Sequence, residues 1–269
     1  MRFIKKYKFY IFLATVLIAA AIGRYYIMNH KVKNDTSKME IIAEGSGNSY
    51  APEITIEDTT EITSSISEDD TEETETKVYP DYTGEMYDTL DTAPQFAVLS
   101  EESYIKLSEL DSLGRCGPAE GCVSKDTMPP EGEQRGEIGA IRPTGWVQTK
   151  YPGIVDSDPP YIYNRCHLLM WALTNINAEE RNLITGTRYM NVNMTTHEMM
   201  IVRYIEKTGN HVMYRVTPVF IDNELLCRGL EMEAYSVEDN GEGINFHVFY
   251  HNVQPGIVID YKTGNTTEE

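Results

Sequence analysis

Asn164-Arg165-Cys166-His167, running into Leu168-Leu169-Met170-Trp171, and then Asn182-Leu183-Ile184-Thr185-Gly186-Thr187-Arg188-Tyr189-Met190-Asn191 carry the strongest structural signal in the chain. Tyr161 to His167 alternates enough to predict a strand, in which Arg165 and His167, two positions apart, point to one face. Met190 to Lys207 reads as a helix that Gly209 stops. In a helix Arg188 and Asn191, three apart, also share a face. A strand followed by a helix therefore gathers two cations, one imidazole and one carboxamide oxygen.

Downstream, His211–Ile221, Leu225–Val237 and Ile244–Tyr250 are β-rich runs. Asp222-Asn223 and Asp239-Asn240-Gly241 provide the turns between them. Upstream, residues 137–150 read as a broken strand. Strands flanking one central helical segment give an α+β domain, with bounds expected at 92 and 262 and a tail at 263–269.

No phosphate-binding Walker loop, Rossmann glycine set or serine nucleophile elbow is present. The cations, imidazole and carboxamide suit a different chemistry. A neutral imidazole takes a proton from water, and a hard divalent cation on a carboxamide oxygen neutralises charge developing on a phosphate. A histidine after a strand is, taken alone, more often structural than catalytic; its pairing with the second stretch is what favours catalysis.

Asn164-Arg165-Cys166-His167 resembles the Asp-Arg-Gly-His signature of the DNA/RNA non-specific endonucleases, which have the ββα-metal (His-Me finger) fold built on an antiparallel sheet. The resemblance extends from Leu113-Gly114-Arg115-Cys116-Gly117 through Gly145-Trp146 to Met232-Glu233-Ala234-Tyr235-Ser236 and Val253-Gln254-Pro255-Gly256. It implies that His167 is the general base, that Asn191 is the direct protein ligand of Mg²⁺ (or Mn²⁺), and that Arg165 contacts the scissile phosphate. It implies further that DNA and RNA are bound through the phosphate backbone with little sequence preference. Asn182 resembles a family asparagine that supports the site, and a plain turn residue is the other reading. Arg188 is read as a second phosphate ligand, or as the partner of a carboxylate. Glu198 either holds a metal-bound water two turns beyond Asn191 or closes a capping box over Thr195-Thr196-His197-Glu198. Two letters depart from the signature. Asn164 replaces Asp on the strand face away from His167, and Cys166 puts bulk where the family has glycine, which narrows the site or forms a disulfide.

Composition sets the frame and opposes part of this reading. The chain carries a formal charge of −19 over 269 residues, whereas phosphate binders are usually basic; a local basic groove on an acidic body resolves the conflict. The charge is uneven. Residues 1–33 hold seven Lys or Arg and no acid, and residues 34–91 hold seventeen acids against Lys38 and Lys77. Basic Met1–Lys8 followed by the apolar run Phe9–Gly23 has the layout of a signal anchor, or of a signal peptide cleaved near Ala19-Ala20-Ala21. Either one exports the remainder and brings the membrane into contact with the N-terminal segment. Residues 34–91 read as a disordered acidic linker, and nothing in the sequence calls for an obligate protein partner.

Four cysteines suit an exported protein, and Cys116–Cys122 is the expected disulfide. Free buried thiols are the alternative for Cys166 and Cys227. His197, His211, His247 and His251 show no third ligand that would make them a metal site. Two other function classes stay open: a nuclease fold that has lost activity and only binds nucleic acid, and a structural surface protein. The second leaves the pairing of His167 with Asn191 unexplained.

Overall fold

Six strands that pair antiparallel throughout form the main sheet of the computed structural model, which describes residues 79–269. The expected N-terminal segment and most of the acidic linker lie outside the described residues. In chain order the strands are β1 (Tyr87–Thr89), β2 (Tyr104–Leu107), β3 (Ala119–Val123), β4 (Tyr163–His167), β5 (Leu183–Thr187), β6 (Val212–Val219), β7 (Gly229–Ser236), β8 (Asn245–His251), β9 (Ile257–Ile259) and β10 (Thr266–Glu268). The main sheet runs β1-β8-β7-β6-β3-β2, while β4-β5 and β9-β10 are separate pairs. The helices are α1 (Trp171–Thr174), α2 (Arg188–Asn193) and α3 (Thr195–Thr208), with a 3₁₀ turn at Glu180–Asn182. The turns are where the sequence puts them: Asp222, Asn240 and Gly241 take the positive φ that reverses the chain between β6, β7 and β8.

One face of the main sheet is apolar. Val212, Tyr214 and Val216 of β6, Leu230, Met232 and Ala234 of β7, and Val248 and Tyr250 of β8 pack with Ile201, Val202 and Ile205 of α3. The helical spacing of 197, 198, 201, 202 and 205 puts one stripe of α3 inside. Each fully buried aliphatic side chain there contributes about 1.5–3 kcal/mol. Thr187 starts α2, its hydroxyl accepting from the Met190 N–H at 3.1 Å. Gly209, at φ 76°, ends α3, as the sequence predicts. Met194 is αR between α2 and α3, and its N–H still donates to the Met190 carbonyl at 3.0 Å. Asn191 and Glu198 therefore lie two turns apart along nearly one helix.

The hairpin β4-β5 feeding α2 and α3 is the ββα unit, with Tyr163 opposite Thr187 and His167 opposite Leu183. A second small core of Tyr151, Val155, Ile162, Tyr163, Leu226 and Ile257 supports it. Several expectations are corrected. Residues 137–150 form loop rather than broken strand, apart from a single bridge between Lys150 and Tyr161. Pro143 has no N–H to give a ladder, and Gly145 sits at φ 65° with Leu226 packed where a Cβ would stand. The main sheet also includes a strand before residue 92, because β1 adds to the edge of β8. The expected tail is not free either, since β10 pairs with β9.

Candidate active site

Strand β4 delivers His167 to its C-terminal end, and α2 delivers Asn191 within its first two turns. Both border one cleft of about 410 Å³. Arg135, Trp146, Tyr161 and Arg165 also line it, and among the described residues no Asp or Glu does. An acid-free cleft with two guanidinium groups on a chain of charge −19 is the local basic site that composition hides.

His167 is buried, and its Nε2 stands 3.0 and 3.2 Å from the two carboxylate oxygens of Glu198. Glu198 has no exposed surface at all, and the Tyr214 hydroxyl donates to it at 3.4 Å. A carboxylate only accepts, so an ionised Glu198 keeps the ring proton on Nε2 and leaves the Nδ1 lone pair for chemistry. The capping-box reading of Glu198 is thereby set aside: α3 has no side-chain cap, and Thr195 donates back to the Val192 carbonyl.

Arg165 borders the same cleft. Its Nε donates to the Ile141 carbonyl at 2.6 Å and its Nη2 to the Gly139 carbonyl at 2.8 Å, while the guanidinium lies 4.3 Å over the Trp146 ring. Arg142 approaches that ring at 5.9 Å. Burial and the neighbouring Arg142 charge hold the pKa of Arg165 below its ordinary value. Arginine stays charged regardless, so two neighbouring cations are left to attract an anion. The sequence does not single out Arg135 or Arg142, and Trp146 enters it only through the family resemblance, because the loop that carries them has no periodicity to read.

Arg188 does not join this group. It borders a separate depression with Asp156, Tyr189 and Gln254, and its Nε lies 3.4 Å from the Asp156 carbonyl. Asn182 lies beneath the site with 1% of its surface exposed, accepting from the Leu169 N–H and donating to the Leu169 carbonyl, each at 2.9 Å. It fastens the chain just after His167. Asn252, not singled out in the sequence, does the same for β5: it accepts from the Thr187 N–H at 2.8 Å and donates to the Thr185 carbonyl at 3.1 Å.

The two signature departures are structurally separate. Asn164 also borders the cleft, although its position in β4 alternates with that of His167. Cys166 turns inward instead, its Sγ 3.3 Å from Met194 Sδ. Its bulk is taken up opposite Gly186, where a Cβ would stand 2.5 Å from Cys166 Cβ. Cys166 thus forms no disulfide and does not narrow the cleft.

All four cysteines are free and buried, so the expected Cys116–Cys122 bridge is corrected. The Cys116 thiol faces the carbonyls of Glu180 and Leu183, while that of Cys122 faces the Ser100 carbonyl. Burial pushes the Cys116 thiol up to about 12 and that of Cys122 up to about 11, which keeps both protonated and unreactive.

A hairpin and helix presenting a histidine and an asparagine over a basic cleft define a ββα-metal nuclease fold. The comparisons agree. The profile of the DNA/RNA non-specific endonuclease family matches residues 97–238, just over half of the chain. This chain belongs to the DNA/RNA non-specific endonuclease family and is a nuclease by descent and fold. Among solved structures it resembles NucA from Streptococcus agalactiae with no metal bound, at 20% identity and a TM-score of 0.54, over 68% of this chain and 90% of that one. The magnesium-bound form of NucA gives the same identity and score over 67% and 85%. Sda1 nuclease with bound zinc ion is 27% identical with a TM-score of 0.53, over 62% and 82%. No curated protein sequence matches the chain.

Proposed function

We propose that this nuclease is a metal-dependent endonuclease that hydrolyses the phosphodiester bonds of DNA and RNA with little sequence preference, outside the cytoplasm. The observation that carries the proposal is His167: its Nε2 is tied to buried Glu198, and it borders the same acid-free cleft as Asn191. The Nδ1 of His167 accepts the proton of the attacking water. As the imidazolium forms, the Glu198 carboxylate stabilises it and keeps the ring from turning. Arg165 and Arg135 offer positive charge to the scissile phosphate, and Trp146 and Tyr161 give apolar walls on which a sugar or base can rest.

The residues present fit a divalent cation. The Asn191 carboxamide borders the cleft and has no hydrogen-bond partner among the described residues. A neutral amide oxygen is a hard donor, and one protein ligand suits an ion that keeps several waters, as Mg²⁺ or Mn²⁺ does. When bound, the cation supplies charge neutralisation for the phosphate and the leaving oxygen. Contact through the phosphate backbone makes binding sequence-tolerant and salt-sensitive.

The extracytoplasmic placement rests on the basic flank and apolar run of residues 1–33, which anchor the chain to the membrane or are removed on export. Free cysteines lend it no support. No helix among the described residues is long and apolar enough to cross a membrane. Incubating the purified chain with plasmid DNA and with structured RNA tests the activity: both are degraded with Mg²⁺, neither with EDTA, and Asn191→Ala behaves as the EDTA sample does. Full cleavage in EDTA sinks the proposal. Retention of nucleic acid without cleavage at any Mg²⁺ concentration identifies a binding module instead.

A further inference from the structure

We infer that the chain carries a second cation site, distinct from the catalytic cleft, in which Glu231, Glu233 and His247 bind a divalent transition ion of the zinc class. The three side chains stand on the sheet face turned away from the α3 core. Glu233 is directly opposite His247 in the β7-β8 ladder, and Glu231 is two residues along on the same face. All three are buried, and their ligand atoms lie within 4.8 Å of one another. Metal–ligand bonds of about 2.1 Å put tetrahedral ligands roughly 3.4 Å apart, so small side-chain adjustments close the set on an ion.

The histidine stands between two acceptors, a place that favours positive charge. Its Nδ1 lies 2.8 Å from the Thr92 carbonyl and its Nε2 lies 2.7 Å from a Glu231 oxygen. Both are acceptor-only atoms, and a neutral ring has only one proton to offer them. The Thr92 hydroxyl, 3.0 Å from Nδ1, does not relieve this, since donating to Nδ1 sets the carbonyl against a lone pair. An imidazolium satisfies both acceptors, and so does Nδ1–H on the carbonyl with a cation between Nε2 and Glu231. A ring nitrogen held by a backbone carbonyl is also the usual support of a metal-ligating histidine. Glu233 is braced as well, accepting from the Gln95 N–H at 2.9 Å and from Arg215 Nε at 2.8 Å. Its oxygens keep lone pairs for an ion.

Among the described residues acids outnumber bases around the cluster, where Arg215 pairs with Glu233. The cavity beside the cluster, about 780 Å³, is lined by four acids (Asp91, Glu120, Glu231 and Glu233) against Lys106 and Arg215. The catalytic cleft has the opposite balance, so the two sites select different partners. An imidazole with two carboxylates suits zinc and its neighbours in the transition series better than Mg²⁺ or Ca²⁺. Such an ion fastens the segment around Thr92 and Gln95 across the sheet.

The full chain carrying His167→Ala and Asn191→Ala, which lacks the catalytic base and the metal ligand of the cleft, isolates this site. After chelator treatment and dialysis it is titrated with ZnCl₂ calorimetrically, and CoCl₂ absorption reports nitrogen and oxygen ligation. The inference requires one saturable equivalent and a raised unfolding temperature. It also requires loss of that equivalent when Glu231→Gln or His247→Gln is added to the same background. Both substitutions are near-isosteric, and circular dichroism confirms the fold. Absence of the equivalent in the His167→Ala/Asn191→Ala chain, or its persistence in both further variants, overturns the inference. Neither outcome bears on cleavage at His167.

Discussion

Glu198→Gln isolates the contribution of the buried carboxylate behind His167. Glutamine keeps the length of the side chain and an oxygen that still accepts from Nε2–H at the observed 3.0 Å, so the tautomer is preserved. What is lost is the negative charge, and that matters only while His167 is becoming imidazolium. Hydrogen bonds to a charged partner contribute about 1.5–3 kcal/mol and neutral ones about 0.5–1.5. The difference of roughly 1–1.5 kcal/mol acts mainly on the transition state and corresponds to about a tenfold loss in rate. The assay is single-turnover cleavage of a labelled duplex at saturating Mg²⁺ and saturating enzyme, with thermal unfolding as a control for fold. The loss should appear in the cleavage step with substrate affinity unchanged. A folded Glu198→Gln chain that cleaves at the parent rate, or that loses affinity alone, refutes the positioning role.

Gly186→Ala should destabilise the chain by about 1–3 kcal/mol in urea unfolding, because the new methyl meets Cys166 Cβ at 2.5 Å and Met190 Cε at 3.0 Å. Adding Cys166→Gly should recover part of that loss, and strict additivity would contradict the packing account. Arg135→Ala should lower the slope of log affinity for duplex DNA against log salt by about 0.9, the share of one phosphate contact; an unchanged slope removes Arg135 from the interface. His197, within hydrogen-bond reach of the Tyr250 hydroxyl at 2.6 Å, has its pKa lowered by burial from the ordinary 6.5. Its contribution to stability is therefore present above about 6.5 and lost as the pH falls through the lowered value. His197→Gln should flatten the acid side of the curve of unfolding temperature against pH, and identical slopes in the two proteins would count against it.

Much of the site was legible because its residues lie close along the chain. His167 and Asn191 belong to a strand and a helix whose periods can be counted, and the Gly209 stop is local chemistry. What escaped was set by tertiary contact. Strand β5 is too short and too uniformly buried to show alternation. The loop bearing Arg135, Arg142 and Trp146 has no period at all. Glu198 carried two sequence readings, and only the approach of β4 and β6 to α3 places it on His167 and Tyr214. Cys116 and Cys122, close in sequence, are carried apart because Cys122 enters β3 while Cys116 turns toward the 3₁₀ segment. His247 looked partnerless along its own strand, since Glu231 and Glu233 reach it from the neighbouring one.

Cleavage rate against pH at saturating Mg²⁺, measured for the parent chain and for His167→Ala, tests whether His167 is the base of a metal-assisted hydrolysis. Protonating His167 removes the lone pair that accepts the water proton, so the parent rate should fall on acidification. His167→Ala should be slower by about 10²- to 10⁴-fold and should have no such acid limb. An acid limb that persists without His167, or a His167→Ala rate equal to the parent's, contradicts the mechanism.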